Sequence, residues 1–128
     1  MKVRRIDHIV IRTKDLNACL NFYGKILGLE IYHNSKRYEI RMGDSKISVQ
    51  YENTEAFPLS KNIQYGCVEV CLVVESQLEK VIMEIEDRGG EFATEILDRH
   101  GALGPMRSVY IYDPDGNLVE LSSYAAAE

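Results

Sequence analysis

The stretch DPDGNLVEL, residues 113–121, ends in a strand pattern that places a carboxylate, Glu120, between two apolar neighbours. Such an acid fits a strand only if that face of the sheet is wet or holds a cation. Two other strand-like stretches carry reactive side chains: IDHIVIR contains His8, and CVEVC contains Glu69. Imidazole and carboxylate groups act as acids, bases and metal ligands, so these three residues are the first candidates for chemistry.

The first half of the chain must position His8, and its pattern predicts the order βαβββ. IDHIVIR alternates as a strand does, and TKDLNACLNFYGKILG has apolar residues at helical spacing. Asp15 can cap that helix and Gly28 can end it. LEIYH, RYEIRM and KISVQY then predict three short strands.

The second half predicts the same order after a polar connector at residues 52–66. CVEVCLVV predicts a strand, SQLEKVIMEIEDRGG an amphipathic helix and EFATEI a strand, while RSVYIY and NLVELSS predict a hairpin across DPDG. The glycine-containing stretch at 98–110 is predicted to be a loop at the rim of a pocket. The fold class is therefore α+β, with two βαβββ modules (about 1–52 and 66–124) in one domain, 1–128, whose mixed sheets form a partly open cup.

Composition excludes several classes of function. The chain has 128 residues and a net charge of −5, which argues against nucleic acid or an anionic membrane as partner. No apolar run is long enough to span a bilayer, and the N-terminal MKVRRIDHIV lacks the apolar core of a signal peptide. Three cysteines without metal-finger spacing indicate free thiols in a reducing compartment, so a cytoplasmic location is expected.

Two stretches, IDHIVIRTKDLNACLNFYGKILGLEI and RSVYIYDPDGNLVELSSY, resemble the vicinal oxygen chelate superfamily, also called the glyoxalase/bleomycin-resistance/dioxygenase superfamily. The resemblance covers nearly the whole chain and is closest to small single-domain glyoxalase-like proteins, some labelled virulence proteins. It implies the glyoxalase/dihydroxybiphenyl dioxygenase-like fold, usually completed by a dimer. We therefore expect a homodimer.

The resemblance also implies a metal site. Its ligand positions are occupied here by His8, Glu69 and Glu120, with Glu69 standing where the family usually has histidine. The fourth position falls by register on Ser48, a poor ligand, while Gln50 lies two residues further on the same strand face. Strand alternation allows the three ligands to face a common cup, where two neighbouring carboxylates would need a cation between them.

The identity of the metal stays open. One imidazole and two carboxylates suit Mn²⁺, Fe²⁺ or Mg²⁺, and Ni²⁺ and Zn²⁺ are also compatible. The non-metal interpretation is a hydrogen-bonded structural histidine with two solvent-facing acids. Cys67 and Cys71 share the face of Glu69 and are interpreted as small buried residues rather than soft ligands, and Cys19 as a helix core residue.

The pocket should contain further substrate-binding residues. Tyr110 matches a family tyrosine ten residues before the acidic ligand, and Gln50 is a second candidate. Arg107 could pair with an anionic substrate group, or could simply be a surface arginine. Of Tyr38 and Arg41 at most one can line the cup, because they alternate to opposite strand faces.

The resemblance predicts a divalent-metal-dependent enzyme of glyoxalase-like type, a lyase, isomerase or transferase. Its small substrate would be chelated through vicinal oxygens, and Glu69 or Glu120 would serve as the catalytic base. Two alternatives remain open: a non-catalytic binding protein of the bleomycin-resistance type, and an Fe(II) ring-cleaving dioxygenase.

Overall fold

The computed structural model describes residues 1–34, 37–52 and 55–124, so positions 53 and 54 of the predicted connector lie outside the described residues. The first half contains β1 (His8–Thr13), α1 (Leu16–Leu20) with a π-helical continuation (Asn21–Ile26), β2 (Glu30–His33), β3 (Tyr38–Met42) and β4 (Ser45–Tyr51). The second half contains β5 (Glu69–Val73), α2 (Leu78–Asp87), β6 (Leu97–Gly101), β7 (Gly104–Tyr112) and β8 (Leu118–Ser123). No helix in these ranges is long and apolar enough to cross a membrane.

The two halves form two four-stranded sheets with the same topology. The strand orders are β1-β4-β3-β2 and β5-β8-β7-β6. In each sheet the first strand runs parallel to the last, and the other neighbours are antiparallel. The predicted α+β fold with two βαβββ modules in mixed sheets is confirmed.

Each sheet has one face in the core and one open face, as strand alternation requires. The core side chains come from both sheets and from the helices; they are Ile11, Cys19, Phe22, Tyr23, Leu27, Ile40, Ile47, Val49, Leu78, Ile85, Val109, Ile111, Val119 and Leu121. A cavity of about 620 Å³ lies between the modules; core-side residues of both sheets, such as Ile47 and Leu72, line it together with His8, Lys46 and Cys71. Within one chain the modules therefore meet through their core sides.

The stretch from residue 91 to residue 110 differs from the sequence prediction. Residues 91–96 are not a strand, and the predicted rim loop at 98–110 is the hairpin of β6 and β7. Gly104, with φ of +125°, permits the tight turn between these strands. β6 lies at the edge of its sheet and is mostly exposed, which explains why its sequence, LDRHG, is too polar to resemble a strand.

The DPDG turn between β7 and β8 joins the two modules. The buried carboxylate of Asp113 accepts hydrogen bonds from the amides of Asp115 (3.0 Å) and Asn117 (2.9 Å) within the turn. Its other oxygen accepts from the Asn117 side-chain amide (2.8 Å) and from the Tyr23 hydroxyl (2.7 Å), which belongs to the first module. Burial and the charge of Asp113 raise the pKa of Tyr23, so its phenol keeps the proton that it donates.

Candidate functional site

The open face of the second sheet brings both predicted acidic ligands together. Glu69 pairs with Leu118, and Cys71 pairs with Glu120 in the adjacent parallel strand, so the two glutamates are diagonal neighbours on one face. Glu69 is exposed and makes no hydrogen bond or ion pair with any described residue. A free carboxylate therefore lies beside a second one, Glu120, which is only partly exposed.

The carboxylate of Glu120 is oriented by a chain of hydroxyl groups. The Ser122 hydroxyl donates to Glu120 Oε2 (3.1 Å) and lies 2.6 Å from the hydroxyl of Ser108, and both serines are fully buried. The thiol of Cys71 lies 3.2 Å from Ser122 Oγ. The other oxygen of Glu120 forms no hydrogen bond with a described residue.

Tyr110 lies beside Glu120 and is itself positioned by an arginine. It pairs with Glu120 across β7 and β8, and its hydroxyl accepts a hydrogen bond from Arg99 Nε (2.9 Å). The Arg99 guanidinium also stacks 5.5 Å from the centre of the Tyr110 ring. Sequence reasoning missed Arg99, because its segment, LDRHG, was interpreted as a loop and has no strand pattern of its own.

Arg107 lies on the opposite face of this sheet, which corrects its expected place in the pocket. Its guanidinium forms a two-bond ion pair with the carboxylate of Glu79 on α2 (3.1 and 2.5 Å). This bidentate contact raises the pKa of Arg107 and lowers that of Glu79. Arg107 directly precedes Ser108, whose side chain lies on the open face, and neighbouring side chains in a strand point to opposite faces.

His8 lies on the open face of the first sheet, at the start of β1. Its side chain is 47% exposed, and its Nδ1 lies 2.8 Å from Asp7 Oδ1. Since a carboxylate can only accept, Nδ1 carries the proton and a neutral ring leaves Nε2 free to coordinate. The hydrogen bond from His8, more than any other effect, lowers the pKa of Asp7.

Ser48, expected at the fourth ligand position, is equivalent in strand register to Glu120. Ser48 lies between Val10 and Glu39 in its sheet, as Glu120 lies between Cys71 and Tyr110 in the other. Gln50 lies two residues further along the same face and is half-buried.

The first sheet also carries a charged cluster that sequence reasoning missed. The carboxylate of Glu39, only 7% exposed, binds Lys46 Nζ (2.7 Å) and Arg41 Nη2 (3.0 Å). The bond from Lys46, more than that from Arg41, lowers the pKa of Glu39. Arg41 is on the open face and Tyr38 on the core side, consistent with only one of them lining the cup. The signal in the sequence was the alternation of Glu39 and Arg41 in β3.

The cysteines differ from their interpretation. Cys67 and Cys71 are exposed rather than buried, because their strand face is the open one. Partial enclosure of its thiol nevertheless raises the pKa of Cys71. Cys19 is in the core as predicted, and burial raises its pKa to about 12.

The predicted metal ligands do not converge within one chain. In the described ranges no three His, Cys, Asp or Glu side chains are close enough together to hold a metal ion. Two carboxylates and an imidazole with a free Nε2 are nevertheless a suitable donor set for a divalent cation. The residues fit a divalent metal chemically, and His8 lies in a different sheet from Glu69 and Glu120.

Comparisons with known proteins agree with this architecture. Virulence protein STM3117 from Salmonella typhimurium is 31% identical over 97% of this chain and 87% of its own. Its crystal structure covers 98% of this chain and 100% of its own, with a TM-score of 0.91. The integron cassette protein VCH_CASS1, from the V. cholerae mobile metagenome, is 32% identical over 98% of each chain, also with a TM-score of 0.91.

A more distant structure shares the fold alone. Lactoylglutathione lyase from Agrobacterium tumefaciens is 20% identical over 96% of each chain, with a TM-score of 0.72. The family model described as Glyoxalase/Bleomycin resistance protein/Dioxygenase superfamily matches residues 5–121. With a match over nearly its whole length and the paired βαβββ modules described above, the chain belongs to the glyoxalase/bleomycin resistance protein/dioxygenase superfamily.

Proposed function

We propose that this protein is a divalent-metal-dependent enzyme of glyoxalase-like type, a lyase, isomerase or transferase that binds a small substrate through two neighbouring oxygens. The observation that carries the proposal is the pair of acids on one open face, Glu69 free and Glu120 held by Ser122. Two such carboxylates repel unless a cation lies between them. His8, whose Nδ1 is held by Asp7, is the third donor.

The proposed site needs two copies of the chain. β1 and β5, which carry His8 and Glu69, each lie at the edge of a separate sheet. Two apolar side chains are exposed here, Ile6 just before β1 (74%) and Val73 at the end of β5 (58%). Open edges with exposed apolar residues favour pairing with another chain. In a twofold dimer, β1 of each copy would lie beside β5 of the other, so the dimer would contain two complete cups.

The bound metal would supply Lewis-acid stabilisation of negative charge on the substrate oxygens. Glu69 is the carboxylate best suited to hold or move a proton, because it is exposed and has no described partner. Tyr110 can direct its own hydroxyl proton towards a substrate oxygen, since Arg99 donates to that hydroxyl. Gln50 lies on the open face of the other sheet as a further donor or acceptor.

The first experiment measures metal content by elemental mass spectrometry on protein purified without chelator. Wild type is compared with Glu120→Gln, with Glu84→Gln on the exposed surface of α2 as the matched control. We expect metal in the wild type and the control but not in Glu120→Gln. A wild type that stays empty after reconstitution with Mn²⁺, Fe²⁺, Ni²⁺, Zn²⁺ and Mg²⁺ would refute the proposal and favour a binding protein. Bound iron together with oxygen uptake on a catechol would favour the dioxygenase instead.

A mixing experiment tests whether the site is shared between copies. His8→Gln and Glu120→Gln are each expected to lose the metal. In a mixed dimer, His8 of the Glu120→Gln chain meets Glu120 of the His8→Gln chain, so one of the two sites is intact. After unfolding and refolding together, an equal mixture should recover about one quarter of the wild-type metal content. No recovery would show that the site does not combine residues from two copies.

A further inference from the structure

The charged cluster of the first sheet, Glu39 with Lys46 and Arg41, encloses its acid and leaves both cations partly exposed. Glu39 is enclosed, whereas the side chains of Lys46 and Arg41 are 26% and 48% exposed. Within these three residues one carboxylate faces two cations, and two further acids border them: Glu30 pairs with Arg41 across β2 and β3, and the charge of Lys46 helps to lower the pKa of Asp7. An ion pair that served only to neutralise a buried acid would need a single cation.

Both cations keep unused hydrogen-bond donors. Glu39 takes one contact from the ammonium group of Lys46. From Arg41 it takes one N–H each of Nε and Nη2, at 3.2 and 3.0 Å. The remaining N–H groups of the guanidinium, including those of Nη1, form no hydrogen bond with a described residue. The Tyr32 ring, 4.3 Å away, holds the plane of the guanidinium.

The two cations of the cluster are level with His8 on neighbouring strands of the sheet. His8 pairs with Lys46 across β1 and β4, and Lys46 pairs with Arg41 across β4 and β3. Since neighbouring strands are about 4.8 Å apart, the backbones of Lys46 and Arg41 lie roughly 5 and 10 Å from that of His8. His8, Lys46 and Arg41 therefore present their side chains from neighbouring strands on the same face of the sheet.

The fold does not require charges at these positions. In the second sheet the equivalent positions of Glu39, Arg41 and Lys46 are occupied by Tyr110, Tyr112 and Leu118, respectively, by the shared register. Neutral side chains therefore fill the same places in a sheet of the same topology.

We propose that Lys46 and Arg41, held by Glu39, bind an oxyanion group of the substrate. The substrate class is then a small anion that carries a carboxylate or phosphoryl group a few bonds from its chelating oxygens. This deepens the proposed function and rests on it for the placement of the chelating oxygens. Binding of the oxyanion itself requires no metal.

The test is calorimetric titration of metal-free protein, prepared on a chelating resin, with malonate and separately with inorganic phosphate. We expect binding of at least one probe by wild type, weakened about tenfold or more in both Lys46→Gln and Arg41→Gln, as for loss of a charge-assisted contact. Lys80→Gln, at an exposed position on α2, is the matched control and should bind as wild type does. A preference for malonate assigns a carboxylate substrate, and a preference for phosphate a phosphoryl substrate.

Wild type that binds neither probe overturns the inference, as does unchanged binding in both cluster variants. Circular dichroism of each variant shows whether weakened binding reflects unfolding, and rescue of binding by Lys46→Arg confirms that the positive charge is what acts. Anion binding by a protein that takes up no metal would reject the proposed function alone. Metal uptake without anion binding would reject this inference alone.

Discussion

Replacement of Asp113 by asparagine tests the buried contact that joins the two modules. Asp113 is 4% exposed, and its carboxylate accepts four hydrogen bonds, two at each oxygen. A carboxamide of the same size keeps one oxygen for the two turn amides. It places an N–H₂ group where the Tyr23 hydroxyl and the Asn117 side-chain amide both donate. Tyr23 can turn its hydroxyl to accept instead.

Asn117 cannot adapt in the same way. Its side-chain oxygen accepts from the amide of Val68 at 3.0 Å, so turning the carboxamide over would break that bond. One buried donor therefore loses its partner in Asp113→Asn, and the remaining bonds lose the assistance of a charge. An unsatisfied buried donor costs about 1–3 kcal/mol. With the lost charge we expect destabilisation of about 2–4 kcal/mol, or roughly 6–16 °C in Tm for a chain of this length.

Urea unfolding followed by circular dichroism, at one fixed protein concentration, measures this loss. Asp44→Asn removes the same charge at an exposed turn and should change stability by less than about 0.5 kcal/mol. Tyr23→Phe removes a single hydrogen bond and should cost about 1–2 kcal/mol. If Asp113→Asn is no less stable than Asp44→Asn, the reasoning about the turn is refuted.

Three further predictions concern other parts of the chain. Gly66 has φ of +71°, and a Cβ added there would lie 2.3 Å from a backbone oxygen, whereas Gly43, at φ +49°, has nothing within 4 Å. Gly66→Ala should therefore lose clearly more stability to urea than Gly43→Ala, and equal losses would contradict this. The pKa of Glu39 is lowered from 4.5, so the extra stability of wild type over Glu39→Gln should be complete above pH 4.5 and vanish as the pH falls through the lowered pKa. A difference in the free energy of unfolding that stays constant from pH 7 to 3 would count against this. Cys19 should resist a thiol reagent until denaturant is added, as measured by peptide mass spectrometry, whereas labelling in the native protein would disprove its burial.

Local patterns predicted the number and order of the elements, although one strand of the second module was placed at residues 91–96 and lies at Leu97–Gly101. Apolar residues at helical spacing and strand alternation are local signals, and each survives in the structure because the same residues build the core. β6 was missed because an edge strand with two wet surfaces needs no alternating apolar residues. Its identity depends on pairing with β7, which is a contact between strands and not a property of the segment.

Part of the candidate site could be predicted from the sequence for the same reason. Parity along β7 already separates Arg107 from Tyr110, so the side-chain direction of Arg107 was available from the sequence once the strand was assigned. The roles of Glu39 and Lys46 were not, because the contact joins two strands whose register only the fold defines. The same holds for the proposed meeting of His8 with Glu69, because they lie in separate sheets whose arrangement no local pattern encodes.

Equivalent strand positions in the two modules carry side chains of different charge. Ser48 in the first sheet is equivalent to Glu120 in the second, and Lys46 pairs with His8 across β1 and β4. A cup made from two second sheets would face four glutamates towards each other without an imidazole, and a cup from two first sheets would contain no unpaired acid from these positions. Only a cup with one sheet of each kind would place a cation site, at Glu69 and Glu120, beside an anion site. Such a cup suits a substrate that is chelated at one end and anionic at the other. The proposed chemistry therefore requires the pairing of unlike modules, and the recovery of metal in the mixed variants and the anion titration test the two halves of that requirement separately.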